Sequence, residues 1–330
     1  MDFLFELFLG KPAWMWLGFL SVVAALLTFD LGVLHRKAEV IGVSESLRLS
    51  AFYIVAGVGF GGFVWWQLGG EAGLEYLTGF AIEKSLAMDN VFVIAMIFGF
   101  FAVPREYQHR VLFWGILGVI VMRAIMIGLG ATLVSRYEWV LLIFAAFLIV
   151  TGVKMLYFGE GKTDLGANPV LRLLRGRLRV TEDFHGDAFF VRAPEPKTGR
   201  AVLWATPLFL ALVLIEVADL IFAVDSVPAI FAITTDPFIV YTSNIFAILG
   251  LRALYFALAA VIHRFAYLKQ ALAVLLVFIG GKVFAAEIFG WEKVPAAWSL
   301  GITFAILAAG IVWSLWRTRG ARSGVSPAAE

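Results

Sequence analysis

Apolar residues along this chain fall into blocks of about twenty, the number needed to cross a ~30 Å hydrocarbon core at 1.5 Å per residue. The blocks predict spans at residues 13–34, 50–68, 77–101, 111–134, 139–158, 207–233, 240–262, 270–289 and 297–316. Connections between them are short, except for a far more polar stretch at 159–206. No soluble fold needs so many such blocks. The expected fold class is therefore all-α: a polytopic membrane protein of about nine transmembrane helices, one transmembrane domain over 1–330, ending in a last span and tail at 297–330.

Composition agrees with this pattern. The 330 residues are 62% hydrophobic and 15% charged, whereas soluble domains run nearer half apolar and a quarter charged. The placement of charge matters more than its sum. With the amino terminus outside, the inner connections hold eighteen lysines and arginines, among them Arg36, Lys37, Arg48, Arg105, Arg110, Arg264, Lys269 and Arg317. The outer segments hold three: Lys11, Arg136 and Lys293. Positive charge collects on the cytoplasmic side, so the carboxyl terminus is expected inside. The opening MDFLFELFLGK carries two acids and one base, unlike the basic start of a cleavable signal. The first block thus reads as a retained span.

The cytoplasmic loop at 159–206 has structure of its own. Asn168-Pro169 ahead of VLRLLRGRLRV predicts a helix cap, proline at the first helical position and a basic amphipathic helix. Such a helix suits an anionic inner leaflet. AFFVRA and RAVLWA then flank a Pro-Glu-Pro-Lys-Thr-Gly stretch, the pattern of a β-hairpin. Thr206-Pro207 repeats the cap-and-proline signal before the sixth span.

A repeat links the two halves. EKSLAMDNVFVIAMIF from Glu83 aligns with ADLIFAVDSVPAIFAI from Ala218, so that Glu83 pairs with Asp219, Asp89 with Asp225 and Asn90 with Ser226. Further on, GVIVMRAIM aligns with AILGLRALY, and IVTGVKMLY with VFIGGKVFA. These pair Arg123 with Arg252 and Lys154 with Lys282. Spans three to five (77–158) thus match spans six to eight (207–289). Opposite directions of travel make this an inverted repeat of three plus three, an architecture that places substrate sites near the midplane between repeats.

Six acids fall inside the expected spans: Asp30, Glu83, Asp89, Glu216, Asp219 and Asp225. Each is costly there, and intramembrane acids face a cavity or a partner. At about 100° per residue, Glu216, Asp219 and Ser226 share one stripe, while Asp225 lies roughly 120° from Asp219. Pro228 gives a reason for a break or π-like distortion near Asp225. Span three shows the same offset between Glu83 and Asp89, with Asn90 back near the stripe of Glu83, and a similar distortion is expected near Asp89 although no proline is present. Unwound backbone would add carbonyl ligands. The competing reading is that the acids neutralise Lys84, Arg123, Lys154, Arg252 and Lys282, with Lys154 snorkelling at its inner end and Asp30 turning toward Arg36.

The donors limit the cargo. Cysteine is absent, and His35, His109, His185 and His263 all fall outside the spans. Carboxylates, an amide, a hydroxyl and carbonyls suit hard cations such as Mn²⁺, Ca²⁺ or Mg²⁺. Met88, Met96, Met122 and Met126 would favour Mn²⁺ if they reached the ion, but read first as packing. Glu182, Asp183, His185 and Asp187 form a loop cluster that reads as a solvated turn before a regulatory metal site. No phosphate-binding loop occurs, since LGGEAGL and FGEGKTDLG lack its spacing. No nucleophile-and-base pattern suggests an enzyme.

The strings GFAIEKSLAMDNVFVIAMIFGFFAVP, LIEVADLIFAVDSVPAIFAIT and FDLGVLHRK resemble the TerC family of membrane proteins, which includes the Alx group, over nearly the whole chain. The resemblance implies a bacterial inner-membrane protein, a LysE-superfamily-like fold, manganese export and, by family name, tellurium resistance. Some members are linked to membrane-protein insertion or to metalation of exported proteins. The expectation is a secondary Mn²⁺ exporter, with no permanent cofactor and no nucleic-acid partner, exchanging the ion for protons or driven by the membrane potential. Asp30 would admit the ion, and Glu83, Asp89, Asn90, Glu216, Asp219, Asp225 and Ser226 would bind it. A Ca²⁺ transporter and a membrane scaffold are the alternatives.

Overall fold

The structure, a computed structural model, describes residues 2–32, 42–137, 139–158, 166, 168–195, 200–258, 268–288 and 295–320. Helices run along each apolar block: α1 (Ala13–Gly32), α2 (Val43–Leu68), α3 (Gly70–Phe100), α4 (Arg105–Arg136) and α5 (Trp139–Phe158). After the loop helix α6 (Pro169–Arg177) come α7 (Pro207–Phe231), α8 (Pro237–Leu249), α9 (Leu251–Leu258), α10 (Leu268–Ile288) and α11 (Ala296–Gly320). Among the described residues seven stretches are long and apolar enough to cross a membrane, namely α2, α4, α5, α7, α8 with α9, α10 and α11. Helix α1 is apolar over a shorter stretch, and the 31-residue α3 carries Glu71, Glu75, Glu83, Lys84 and Asp89. The protein is a polytopic all-α membrane protein.

Helix α4 shows how the sequence selects its faces. Val121, Ile125, Leu129 and Leu133 are exposed, four apart, and form a stripe suited to lipid. Val119, Arg123, Ile127 and Val134 point inward and are buried. Helix α8 has no outward stripe: all but Pro237 and Tyr241 are buried, the signature of a helix enclosed by others. It packs on α3, while α4 packs on α7 and α5 on α10. Each of these contacts joins one half of the chain to the other.

Helices α5 and α10 cross closely. A Cβ on Gly152 would lie 2.6 Å from the Ala273 carbonyl oxygen, and one on Gly280 would lie 2.6 Å from that of Ala145. The two contacts are reciprocal under the sequence register, which pairs Ala145 with Ala273, Ile149 with Val277 and Gly152 with Gly280. Residue numbers rise on one helix as they fall on the other, so the helices run antiparallel.

Two expectations are corrected. Helix α7 runs unbroken through Asp225 and Pro228 to Phe231, and α3 is likewise continuous through Asp89. Pro228 lies in the last turn of α7, where a missing N–H removes a single bond at the Val224 carbonyl. Ala223, Val227, Ile230 and Phe231 meanwhile hold that turn in a core with Ile127, Ala131, Val134 and Val140. The break occurs elsewhere, at Gly250 between α8 and α9, inside a span expected to be continuous.

The loop builds a small cap. Asn168 Oδ1 accepts from Val170 N at 2.9 Å, capping α6, and Leu171 is buried beneath it. Strands β3 (Phe190–Pro194) and β4 (Ala201–Ala205) pair antiparallel; they are the third and fourth strands, after β1 (Leu7–Phe8) and β2 (Lys11–Pro12) near the amino terminus. Thr206 does not cap α7 with its side chain: its hydroxyl donates instead to the Ala188 carbonyl at 2.7 Å. Asp187 pairs with Arg110 at 2.5 Å. Among the described residues no group of three His, Cys, Asp or Glu is placed to hold a metal.

Candidate functional site

A guanidinium sits where the two halves meet. Arg123 of α4 is among the largest fully buried side chains. Its Nη1 donates to Glu83 Oε1 at 2.6 Å, Ser226 Oγ at 2.8 Å and Asn244 Oδ1 at 3.2 Å. Its Nε and Nη2 reach the two Asp219 oxygens, each at 3.3 Å. Asn90 Nδ2 donates to Asp219 Oδ1 at 2.9 Å. Helical periodicity explains the assembly: Glu83 and Asn90 lie seven apart on α3, as do Asp219 and Ser226 on α7, so each pair shares a face. The unbroken helices keep those faces aligned.

Two carboxylates share one guanidinium here. Glu83 Oε2 and Asn90 Oδ1 are buried without a hydrogen-bond partner among the described residues. Beside the cluster lies a cavity of about 20 Å³ lined by Asn90, Gly115, Ile215, Asp219, Phe222 and Arg252, room for one water-sized guest. Arg252 is itself buried.

Glu216, one turn before Asp219, presses on α4 where two glycines make space. A Cβ on Gly118 would lie 2.5 Å from the Glu216 carboxyl carbon, and one on Gly115 would lie 4.0 Å from its Oε1. Glu216 Oε2 is buried without a partner among the described residues. Asp89 is buried at 9% exposure on α3. The side chains of Asp30 and Asp225 lie outside the described residues.

The remaining cations divide. Half-buried Lys84 donates to the Ala247 carbonyl at 3.0 Å, an acceptor that an unbroken helix would offer to residue 251; the Gly250 break hands it to Lys84. Lys282 donates to Ser299 Oγ at 3.2 Å. Lys154 is exposed. The structure thus gathers Glu83, Asn90, Asp219, Ser226 and Arg123 into one network, with Glu216 and Arg252 beside it. Sequence reasoning missed Asn244 and Gly118. Asn244 was visible as an amide inside an expected span, next to Thr242 and Ser243; Gly118 carried no signal apart from its partner.

Comparison with known proteins places the chain. Residues 68–322 match the model of the integral membrane protein TerC family. A membrane protein of Myxococcus xanthus is 46% identical over 94% of this chain and 95% of its own length. One of Rickettsia bellii is 47% identical, covering 92% and 97%. A protein of Escherichia coli K12 named "Putative membrane-bound redox modulator Alx" is 47% identical, covering 93% and 95%. No solved structure matches. With the family model covering most of the chain and relatives matched end to end, the protein belongs to the integral membrane TerC family.

Proposed function

We propose that the protein is a secondary transporter that carries a divalent cation, Mn²⁺ in preference to Ca²⁺, out of the cytoplasm through the polar cluster between its halves. The observation that supports this most is the shared guanidinium. Two buried carboxylates lean on one arginine, and an acid pair that loses this counter-charge is costly inside a bilayer until another cation replaces it. The spare oxygens of Glu83, Asn90 and Glu216 are hard donors, the kind that Mn²⁺, Ca²⁺ and Mg²⁺ accept. As substrate, the ion would be held by these residues together with Asp219, Asp89 and Asp225.

The reciprocal antiparallel α5–α10 crossing supports an inverted repeat, and with it a rocking of one repeat against the other. Protons or the membrane potential would drive the cycle. The bias of lysine and arginine supports an inner-membrane protein with its amino terminus outside and carboxyl terminus in the cytoplasm. The name of the Escherichia coli relative speaks of redox modulation. This sequence holds no cysteine, so a redox effect would come through the cargo and not through thiols of the chain. Tellurium resistance would follow as a consequence of metal handling.

The hold of Arg123 on both acids favours one second reading. In it the network only stabilises the fold, and the protein is a scaffold for insertion or metalation of other proteins.

The test is Mn²⁺ flux in proteoliposomes containing the full chain, with Asp89→Asn and Asp225→Asn alongside and Ca²⁺ and Mg²⁺ as competitors. Saturable Mn²⁺ flux lost in both variants is the expected result. Absence of flux in the wild type would favour the scaffold; undiminished flux in both variants would remove those acids from the route. Inhibition of labelled Mn²⁺ flux by Ca²⁺ more strongly than by unlabelled Mn²⁺ would reassign the cargo.

A further inference from the structure

The two halves do not use their matching residues alike. Under the repeat register Arg123 corresponds to Arg252, Glu83 to Asp219 and Ser226 to Asn90; carried eight residues back from the arginines, it also pairs Gly115 with Asn244. Arg123 bonds Glu83, Ser226 and Asn244. The counterparts of these four residues are Arg252, Asp219, Asn90 and Gly115, and all four line the cavity. One seat is therefore filled by its own arginine; in its image Asp219 is held by Arg123 and Asn90, and Arg252 shares the cavity wall with Asp219 and Asn90. The seats differ most where the Asn244 amide is replaced by a glycine.

Two halves related in this way can trade conformations, because contacts made by one are available to the other. Trading would lift Arg123 from the carboxylates and bring Arg252 onto Asp219. We propose that Arg123 and Arg252 are tethered counter-cations that alternate on the Glu83–Asp219 pair, and that the transported cation binds only when Arg123 has left it. This rests on the transporter reading above. A carboxylate pair stripped of every cation inside a bilayer is strongly disfavoured. An arginine that takes the seat lets the protein return without cargo. It also weakens cargo binding, because only the released fraction of the protein is competent.

The test is equilibrium Mn²⁺ binding to the purified full chain, read beside Mn²⁺/Mn²⁺ exchange and net Mn²⁺ flux in proteoliposomes. Arg123→Gln is expected to bind Mn²⁺ about tenfold more tightly, since the competing seat is gone. It should retain exchange but lose most net flux, because the unloaded return step lacks its cation. Arg252→Gln is expected to lose net flux with little gain in affinity. Folded Arg123→Gln that binds Mn²⁺ as the wild type does, or more weakly, would overturn the proposal and leave the arginine a structural role.

Should Arg123→Gln not fold, Arg123→Lys keeps the charge but not the fork that spans two acids. It should still bind more tightly, by a smaller factor, and unchanged or weaker binding would count against the proposal in the same way. The two readings fail separately. Wild type that binds Mn²⁺ without moving it ends the transporter reading, whereas wild-type flux without the affinity gain ends this one.

Discussion

Replacing Gly152 with alanine should force α5 and α10 apart. The new Cβ would stand 2.6 Å from the Ala273 carbonyl oxygen, 2.8 Å from Val277 Cγ2 and 3.2 Å from Val277 N. Ordinary contact begins at 3.4 Å, so the oxygen falls short by 0.8 Å. Two of these three atoms belong to the backbone and cannot swing away; relief must come from a shift of the whole helix. Overpacking of this kind costs about 1–3 kcal/mol. Gly280→Ala meets the same geometry against Ala145 and Ile149 and should cost a similar amount. One separation of the pair relieves both clashes, so the double variant should cost less than the sum of the singles, by about 0.5 kcal/mol or more. Gly128→Ala is the control, since nothing lies within 4 Å of its added Cβ. It should be neutral or slightly stabilising. Unfolding in one fixed detergent, by heat and by denaturant, reads all four variants. The reasoning is refuted if Gly152→Ala is as harmless as Gly128→Ala, or if the double variant equals the sum.

Further outcomes follow from the same contacts. Arg123→Gln leaves two buried acids uncompensated and should destabilise by about 3–5 kcal/mol in a chelator; Mn²⁺ should restore much of this, and melting with and without the ion checks it. Glu83→Gln leaves Arg123 with Asp219 and should cost less, about 1–3 kcal/mol, by the same measurement. In Gly118→Ala the atoms nearest the new Cβ are the carboxylate end of Glu216, a side chain that can rotate away where a backbone cannot. The substitution should therefore alter Mn²⁺ flux in proteoliposomes while moving the melting temperature little. Green fluorescent protein fused to the carboxyl terminus should fluoresce in cells, as expected for a cytoplasmic end; a dark but stable fusion would reverse the topology.

The sequence was legible wherever local physics decides the structure. Lipid demands long apolar helices, so block length alone placed them. Asn168 and Pro169 fixed the start of α6 because a cap needs only the next turn. The stripes that paired Glu83 with Asn90 and Asp219 with Ser226 depended on helical spacing, and the continuous helices preserved it. What was not legible depended on distant partners. Pro228 suggested an unwound α7, but whether a proline breaks a helix depends on how near the end it falls and on what packs around it. Gly250 looked like any glycine in an apolar run; the amine that satisfies the broken turn comes from Lys84 on another helix. The acids drew attention as open ligands. That Arg123 would hold two of them, with Asn244 completing its shell, required the packing of α3, α4, α7 and α8 around one point.

The central claim is that a cation crosses through this cluster, and Asp219, which joins both the Arg123 network and the cavity wall, tests it most directly. Initial rates of Mn²⁺ flux should be measured in proteoliposomes carrying the wild type or Asp219→Asn, with folding of each verified by melting. The account predicts saturable flux in the wild type that falls to the level of protein-free liposomes in the folded variant. Flux through Asp219→Asn at the wild-type rate would contradict it.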